Sequence, residues 1–188
     1  TLWGIDWLRE GSSIVEFKSP VLADELVECV TVLNEASLNV NATVNDQIRA
    51  QCTAFMEKQT PDASPDSSSE LLGTEEIYLT DEWTDYGLRA GDDHKIYSDL
   101  GFIHPVAWPS LANHVVEKNL VNGAWVHTRS KISHHGLVKI GSVATVESRV
   151  INRFETRTGY RAVVDVFISV DGEKVVDIEH EAIISLKK

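Results

Sequence analysis

The sequence has few cysteines, few basic residues and no long apolar run, and each shortage excludes a class of protein. Its 188 residues include two cysteines, Cys29 and Cys52, too few for a disulfide-stapled secreted domain. No apolar segment approaches the roughly 20 residues that a membrane span needs. The net charge of -12 repels phosphate backbones. We therefore expect a cytoplasmic protein with reduced thiols, no membrane span and no nucleic-acid partner.

One segment is too polar to join a hydrophobic core. KQTPDASPDSSSE, which begins at Lys58, is rich in Pro, Ser and Asp, and Ala63 is its one apolar residue. Such a composition is typical of a connector. We predict a linker over residues 58–71, which separates a first part, 1–57, from a second part, 72–188.

Most of the remaining sequence alternates with the period of a β-strand. In SLNVNATV, residues 37–44, every second side chain is apolar, as in a half-buried strand. The same period occurs in IRAQCTAFM, VATVESRVINRF, YRAVVDVFISV and VVDIEHEAIISL. Asn45-Asp46 and Asp171-Gly172 are hairpin-turn pairs. The pattern predicts antiparallel strands joined by tight turns.

One segment has helical spacing instead. WPSLANHVVEKNL places its apolar side chains on one wide arc and its polar side chains on the other, which is typical of a mostly buried helix. Pro109 suits the first turn, where no N–H is needed. We predict a helix over residues 104–120.

The two parts of the chain have related patterns. The pattern of the second part predicts a strand, a polar loop, the buried helix and four strands. The pattern of the first part predicts four strands alone. We interpret this as an internal repeat whose first copy is incomplete. Because a sheet with one apolar face needs a cover, we expect another segment or a partner chain to cover it.

The stretch GDDHKIYSDLGFIHP, residues 91–105, joins these patterns to a known family. Gly91-Asp92, the step Gly101-Phe102 and His104 before the helix resemble the motif of the MaoC-like acyl-thioester hydratases and dehydratases. The resemblance covers residues 72–186, with residues 1–56 as a half copy.

The resemblance implies both a fold and a reaction. The fold is of the α+β class, a double hotdog in which an antiparallel sheet wraps around a long central helix, here with an incomplete first half. The reaction adds or removes water at a 2-enoyl or 3-hydroxyacyl thioester, carried on coenzyme A or on an acyl carrier protein, without a cofactor. A homo-oligomer or a partner segment would complete the first hotdog.

Two positions depart from the family motif. Tyr97 stands where the family has its catalytic His, and Pro105 stands where it has a Gly at the helix entrance. The resemblance assigns the base and acid roles to the Asp and the His together, and Asp92 could still act as a base. His94 could replace the missing imidazole, and the Tyr97 hydroxyl could donate a hydrogen bond but is a poor base near neutral pH.

The helix entrance supplies the remaining candidates. The resemblance implies thioester-oxygen donors among the first amides of the helix. Since Pro105 has no N–H, we expect Val106 and Ala107 to provide them, with His104 beside them as a further catalytic candidate.

Each candidate also has a purely structural interpretation. Asp92 could be a turn or cap residue, Tyr97 a packing aromatic, and His104 a histidine bonded to the backbone. His180 lies on the apolar side of its strand and is expected to be a core histidine with satisfied hydrogen bonds. Adjacent histidines on a strand, such as His134 and His135, point apart, so we expect no metal site.

Two further functions remain open at this point. A hotdog thioesterase would need only one carboxylate, Asp92, to activate water against the thioester carbonyl. Alternatively, the loss of both the His and the Gly would be compatible with a catalytically degenerate acyl-binding protein or partner subunit.

Overall fold

The described part of the chain forms a nine-stranded antiparallel sheet with one long helix on one face. The computed structural model describes residues 3–58, 69–84, 87, 91 and 95–187. The strands are β1 (Ser12–Phe17), β2 (Glu28–Leu33), β3 (Ser37–Val44), β4 (Gln47–Phe55), β5 (Glu70–Tyr78), β6 (Val126–His134), β7 (Val143–Glu155), β8 (Gly159–Val170) and β9 (Glu173–Leu186). The helices are a 3-10 turn (Gly4–Asp6), α1 (Trp7–Glu10), α2 (Asp81–Thr84), α3 (Ile96–Asp99) and α4 (Ala107–Leu120).

The order of the strands repeats about one central pair. The order across the sheet is β2-β3-β4-β1-β6-β9-β8-β7-β5, and β1 pairs with β6, with Val15 opposite Ser130. We call this pair the seam. Outward from the seam, the order is β1, β4, β3, β2 on one side and β6, β9, β8, β7 on the other. Each group of four strands therefore has the order first, fourth, third, second. The predicted antiparallel strands are therefore confirmed, and the β1–β6 pairing joins the two parts of the chain in one sheet.

The helix α4 covers the sheet on one side of the seam. Its buried residues are Ala107, Trp108, Leu111, Ala112, Val115 and Val116, which belong to one core with inward side chains of β7, β8 and β9. We call the face beneath α4 the inner face. The helix predicted over residues 104–120 is confirmed, although residues 104–106 form a turn before it. In the described part of the chain no helix is long and apolar enough to cross a bilayer.

Both predicted hairpin turns are present. Asn45 and Asp46 have φ values of 48° and 62°, and Asp171 and Gly172 have values of 52° and 80°. Two successive positive φ values define a turn whose twist matches that of the flanking strands, and Asn, Asp and Gly tolerate this backbone best. These two-residue turns set the registers of the β3–β4 and β8–β9 hairpins.

The predicted linker is partly strand. β5 begins at Glu70, so the last two residues of the predicted range 58–71 belong to the sheet. The alternation of β5 is weak, since Glu70 and Leu71 are both exposed, and composition alone extended the linker too far. Residues 59–68 lie outside the described residues, and the division of the chain at this point stays a prediction.

On the other side of the seam, the inner face has no helix over it within the described residues. By register, this surface consists of Val15, Phe17, Cys29, Thr31, Leu33, Leu38, Val40, Ala42, Ala50, Cys52 and Ala54. We call it the open face. Leu33 is 58% exposed and Phe17 is 45% exposed, whereas the matching surface beneath α4 is buried. The open face is therefore an apolar patch of the kind that soluble proteins normally cover.

The opposite, outer face carries charged side chains in contact with one another. Arg129 donates to Glu179 at 3.1 Å, and Asp165, only 5% exposed, is opposite Glu179 on β9 and Arg149 on β7. Burial raises the pKa of Asp165 to about 6, the negative charges of Glu179 and Asp177 add to the increase, and Arg149 partly offsets it. Ionised Asp165 therefore destabilises the folded state.

We expect Asp165→Asn to raise the melting temperature at pH 8. The folded pKa of about 6 lies above the unfolded value near 3.8, so this group destabilises the fold progressively as the pH rises from about 4 through 6. The increase in melting temperature should therefore become smaller as the pH falls towards 4. Thermal melts at several pH values measure it, with Asp99→Asn, at an exposed position, as the control. An equal effect at pH 4 and pH 8 would contradict the assignment.

Candidate functional site

The entrance to α4 is organised by a histidine. His104 Nδ1 accepts a hydrogen bond from the Val106 amide at 3.1 Å, and the His104 carbonyl accepts one from the Ala107 amide at 3.0 Å. The Trp108 amide donates to the Pro105 carbonyl at 3.2 Å. Because Nδ1 is an acceptor, the hydrogen of the neutral imidazole lies on Nε2.

Tyr97 lies against this histidine. Its ring, in α3, meets the His104 ring edge to face, with 4.6 Å between the centroids and 76° between the planes. An edge-to-face pair restricts both rings more than apolar contact alone does. The helical turn of α3 thus brings Tyr97 to the entrance of the long helix.

A glycine packs against the same ring. Gly87 is buried, and a Cβ added there would collide with Nε2 and Cδ2 of His104. Only glycine allows the backbone to approach the imidazole so closely. Gly87 has no distinguishing signal in the sequence, because a glycine in a polar segment is usually a turn residue and its contact partner is distant in the sequence.

The structure thus places some of the predicted site residues and not others. It brings Tyr97 and His104 together at the helix entrance. Asp92 and His94 lie outside the described residues, so their roles stay predictions. The amides of Val106 and Ala107 are at the entrance as expected, but each already has an intramolecular acceptor. To donate to the oxygen of a thioester, these amides would first have to break their intramolecular hydrogen bonds.

A second polar cluster lies on the inner face at the seam. β6 has an irregularity in its pairing with β9 at Thr128, so Thr128 and Arg129 both reach carboxylates of β9 on the outer face. A bulge of this kind shifts the alternation by one residue. His127 and Ser130, three positions apart, therefore share the inner face.

The hydroxyl of Ser130 lies between two imidazoles. Its Oγ is 2.8 Å from His127 Nε2 and 2.9 Å from His180 Nδ1. The two imidazole rings are stacked, with centroids 4.1 Å apart and planes at 28°. The Phe17 ring packs against His127 at 4.8 Å. We call His127, Ser130 and His180 the seam cluster.

Both imidazoles of the seam cluster are neutral near pH 7. Burial lowers the pKa of His127 to about 4, although a hydrogen bond with the Arg129 backbone acts in the opposite direction. Burial also lowers the pKa of His180 to about 3, and the neighbouring His127 lowers it further. Neutral imidazoles bind as one donor and one acceptor.

Only one member of this cluster was identified from the sequence. His180 was expected on the apolar side of its strand and is fully buried there, but its Nε2 has no hydrogen-bond partner among the described residues. His127 and Ser130 were missed because strict alternation places positions 127 and 130 on opposite faces. The bulge that unites them follows from pairing with β9 and has no local sequence signal.

His134, the last residue of β6, and His135, which follows it, have different partners. His134 is buried and meets the Trp7 ring at 4.6 Å, while His135 Nε2 contacts Asp177 Oδ2 at 2.7 Å. Burial lowers the pKa of both histidines. Within the described ranges no three His, Cys, Asp or Glu side chains are grouped as metal ligands would be.

We expect Gly87→Ala to displace the His104 ring and to destabilise the protein by about 1–3 kcal/mol, the usual cost of forcing extra volume into a packed site. Gly136→Ala is the matched control, because a Cβ there meets no atom closer than 3.8 Å. Denaturant unfolding measures the free energies, and histidine NMR signals report the ring position. Equal stability of the two variants would contradict the close contact.

Comparison with known proteins gives matches in structure. No protein-family model matches the chain, and no curated protein matches it in sequence. A Lactobacillus plantarum structure assigned as an oleoyl thioesterase superposes with a TM-score of 0.62 at 12% identity, covering 95% of this chain and 76% of that one. A MaoC-like dehydratase from Phytophthora capsici gives 0.59 at 12% identity, with 95% and 72% covered.

A third solved structure extends the comparison. The tesB protein of Mycobacterium avium subs. paratuberculosis gives a TM-score of 0.51 at 15% identity, covering 94% of this chain and 79% of that one. At such low sequence identities, the structural similarity shows the fold alone. The resemblance seen in the sequence is therefore confirmed at the level of architecture, and the chain has the hotdog fold that MaoC-like dehydratases and hotdog thioesterases share.

Proposed function

We propose that the protein acts on acyl thioesters, adding water to a 2-enoyl thioester or removing it from a 3-hydroxyacyl thioester. The substrate would be carried on coenzyme A or on an acyl carrier protein, and no cofactor takes part in the reaction. The observation that carries the proposal is the contact of Tyr97 with His104 at the entrance of the buried helix, in a chain with the hotdog fold.

The proposed chemistry assigns one role to each candidate. Asp92 accepts a proton from the attacking water as oxygen bonds to C3 of the enoyl group, and a proton is delivered to C2. The His94 imidazole and the Tyr97 hydroxyl are the candidate donors, and His104 orients Tyr97 through the ring contact. The buried helix supplies the dry, apolar wall that an acyl chain needs.

The occupied amides at the helix entrance favour a slow enzyme. Val106, Ala107 and Trp108 all donate within the chain, and Pro105 has no N–H to offer. A thioester oxygen would have to compete for these donors. The same observation supports the alternative in which the protein binds acyl groups, or acts as a partner subunit, without turning them over.

Hydrolysis of the thioester is the second enzymatic candidate. One of the structural matches, that from L. plantarum, is assigned as an oleoyl thioesterase. Asp92 alone could activate water against the thioester carbonyl. Product analysis separates the reactions: hydrolysis releases a free thiol, whereas hydration removes enoyl absorbance and leaves the thioester intact.

We also propose that the sheet is a double hotdog with an incomplete first half. Strands β1–β4 correspond in order to β6–β9, and the described residues contain no counterpart of β5 and α4 on the first side. A partner segment or a second copy would cover the open face. The repeat of strand order about the seam supports this arrangement.

We expect Asp92→Asn to lower hydration of an enoyl thioester by about 10²–10⁴-fold, the usual contribution of a general base. The change is nearly isosteric, so the unfolding midpoint should not move. The assay follows enoyl absorbance, with Asp99→Asn on α3 as the control. Tyr97→Phe should also slow the reaction if the hydroxyl donates, and leave the rate unchanged if the ring serves only packing.

Restoring the family motif tests the same proposal in the opposite direction. Tyr97→His combined with Pro105→Gly should raise the hydration rate, because the pair returns an imidazole and an amide donor to the entrance. A double variant that stays folded and remains at background would contradict hydration and favour the binding function.

We expect the open face to be covered in solution. Light scattering should give a mass above that of one chain, and any chain that remains monomeric should bind a dye that fluoresces on apolar surfaces, because its open face is then uncovered. Leu33→Lys, at an exposed apolar position of β2, should weaken self-association, whereas Leu100→Lys, exposed outside this face, should not. A monomer that binds no such dye would contradict the incomplete first half.

A further inference from the structure

A cavity of about 290 Å³ lies among the segments that adjoin strands β2, β3 and β4. Its volume is near the lower end of the range for small-molecule pockets. Phe55, which is opposite Ser37 on β3, lines the cavity, so the cavity is across the seam from α4. The lining residues are Trp3, Glu35, Ala36, Phe55, Met56 and Glu57.

The wall that carries Trp3 is anchored to the end of β4. Trp3 directly precedes the 3-10 turn that leads to Trp7, and Trp7 Nε1 donates a hydrogen bond to the Phe55 carbonyl at 3.0 Å. The Trp7 ring lies so close to Gly11 that a Cβ there would collide with it. Only glycine permits this approach. The start of the chain is therefore held beside the end of β4.

The walls that carry the two carboxylates are fixed as well. The Ser12 hydroxyl donates to the Glu57 carbonyl at 2.5 Å. In the turn between β2 and β3, the Asn34 amide donates to the Ser37 carbonyl at 2.8 Å, and Glu35 lies between these two residues. Contacts within the chain thus hold all three walls, so a ligand need not order them on binding.

The lining combines aromatic and apolar side chains with negative charge. Trp3 and Phe55 supply aromatic rings, and Met56 supplies a polarisable thioether. Within the described ranges, neither Glu35 nor Glu57 takes part in an ion pair. Aromatic faces and carboxylates both attract cations. The cavity therefore favours a positively charged group.

Hydrogen bonding decides which kind of cation fits. Primary ammonium and guanidinium groups need several acceptors, but the carbonyls of Phe55 and Glu57 already accept hydrogen bonds. A quaternary ammonium group has no N–H, and its methyl groups gain from contact with apolar walls. A phosphate beside it would be repelled by the two carboxylates. The chemistry thus favours a small quaternary ammonium compound without an anionic group.

We propose that this cavity binds a small quaternary ammonium compound, whose methylated nitrogen lies against the aromatic rings of Trp3 and Phe55. Glu35 and Glu57 balance the charge of the cation. We call these four residues, with Ala36 and Met56, the ammonium site. The proposal is independent of the action on acyl thioesters, because the ammonium site shares no residue with the entrance of α4.

The first test compares choline with 3,3-dimethyl-1-butanol, which has the same shape and no charge. Titrations of the full chain at constant ionic strength should give saturable binding of choline, roughly 3- to 30-fold tighter than that of the neutral alcohol, as for a cation against aromatic rings. Phosphocholine should bind more weakly than choline. Equal binding of choline and the alcohol would overturn the proposal.

Substitutions test which residues hold the cation. Trp3→Leu should weaken choline binding roughly 3- to 30-fold by removing an aromatic ring, whereas Phe17→Leu, outside the cavity, should leave it unchanged. The double variant Glu35→Gln, Glu57→Gln should also weaken it. Glu28→Gln, at an exposed position of β2, is the matched control. Equal losses in variants and controls would assign the attraction to the net charge of -12 and overturn the site.

A readout in the unsubstituted protein guards against a variant that does not fold. The indole N–H signal of Trp3, assigned by its absence from the NMR spectrum of Trp3→Leu, should shift with choline more than the other tryptophan signals. An unchanged Trp3 signal would overturn the site. Vesicles of phosphatidylcholine should not retain the chain on sedimentation. Retention that Trp3→Leu abolishes would assign the ligand to a membrane surface and overturn the small-molecule proposal.

Discussion

The antiparallel pairing of β1 with β6 is the interaction on which the rest of the structure depends. It joins two groups of strands that are distant in sequence into one sheet, with Val15 opposite Ser130. Without it, the innermost strand of each group would pair on one side only and leave its other edge unpaired. The same pairing brings Phe17 to His127, so the boundary between the two groups is also where a polar cluster forms.

The two groups differ in what covers them. One has α4, whose apolar arc fills the space above β8 and β9, while the other presents half-buried and exposed side chains on the same face. One row of inward side chains therefore contains both buried residues beneath α4 and half-buried residues of the open face. Polar groups at such a border are shielded enough to remain neutral, as the lowered pKa values of His127 and His180 indicate.

The helix entrance and the seam cluster are built by different means. At the entrance, contacts are close in sequence: His104 bonds the amide two residues later, and Tyr97 is seven positions away. At the seam, Ser130 and His180 meet only through the β6–β9 ladder. A short motif can therefore describe the first site, whereas the second depends on register across strands.

The sequence by itself determined the strands, their antiparallel turns and the buried helix, because period-two alternation, Asn-Asp and Asp-Gly pairs, and the apolar arc of α4 are local properties. It also predicted Tyr97 and His104 as site residues, and the structure brings their rings into contact. Only the tertiary structure decided that Gly87 packs on His104, that the amides of Val106 and Ala107 are occupied, and that the bulge at Thr128 turns His127 inward. These features depend on contacts between distant residues, whose geometry no local pattern specifies.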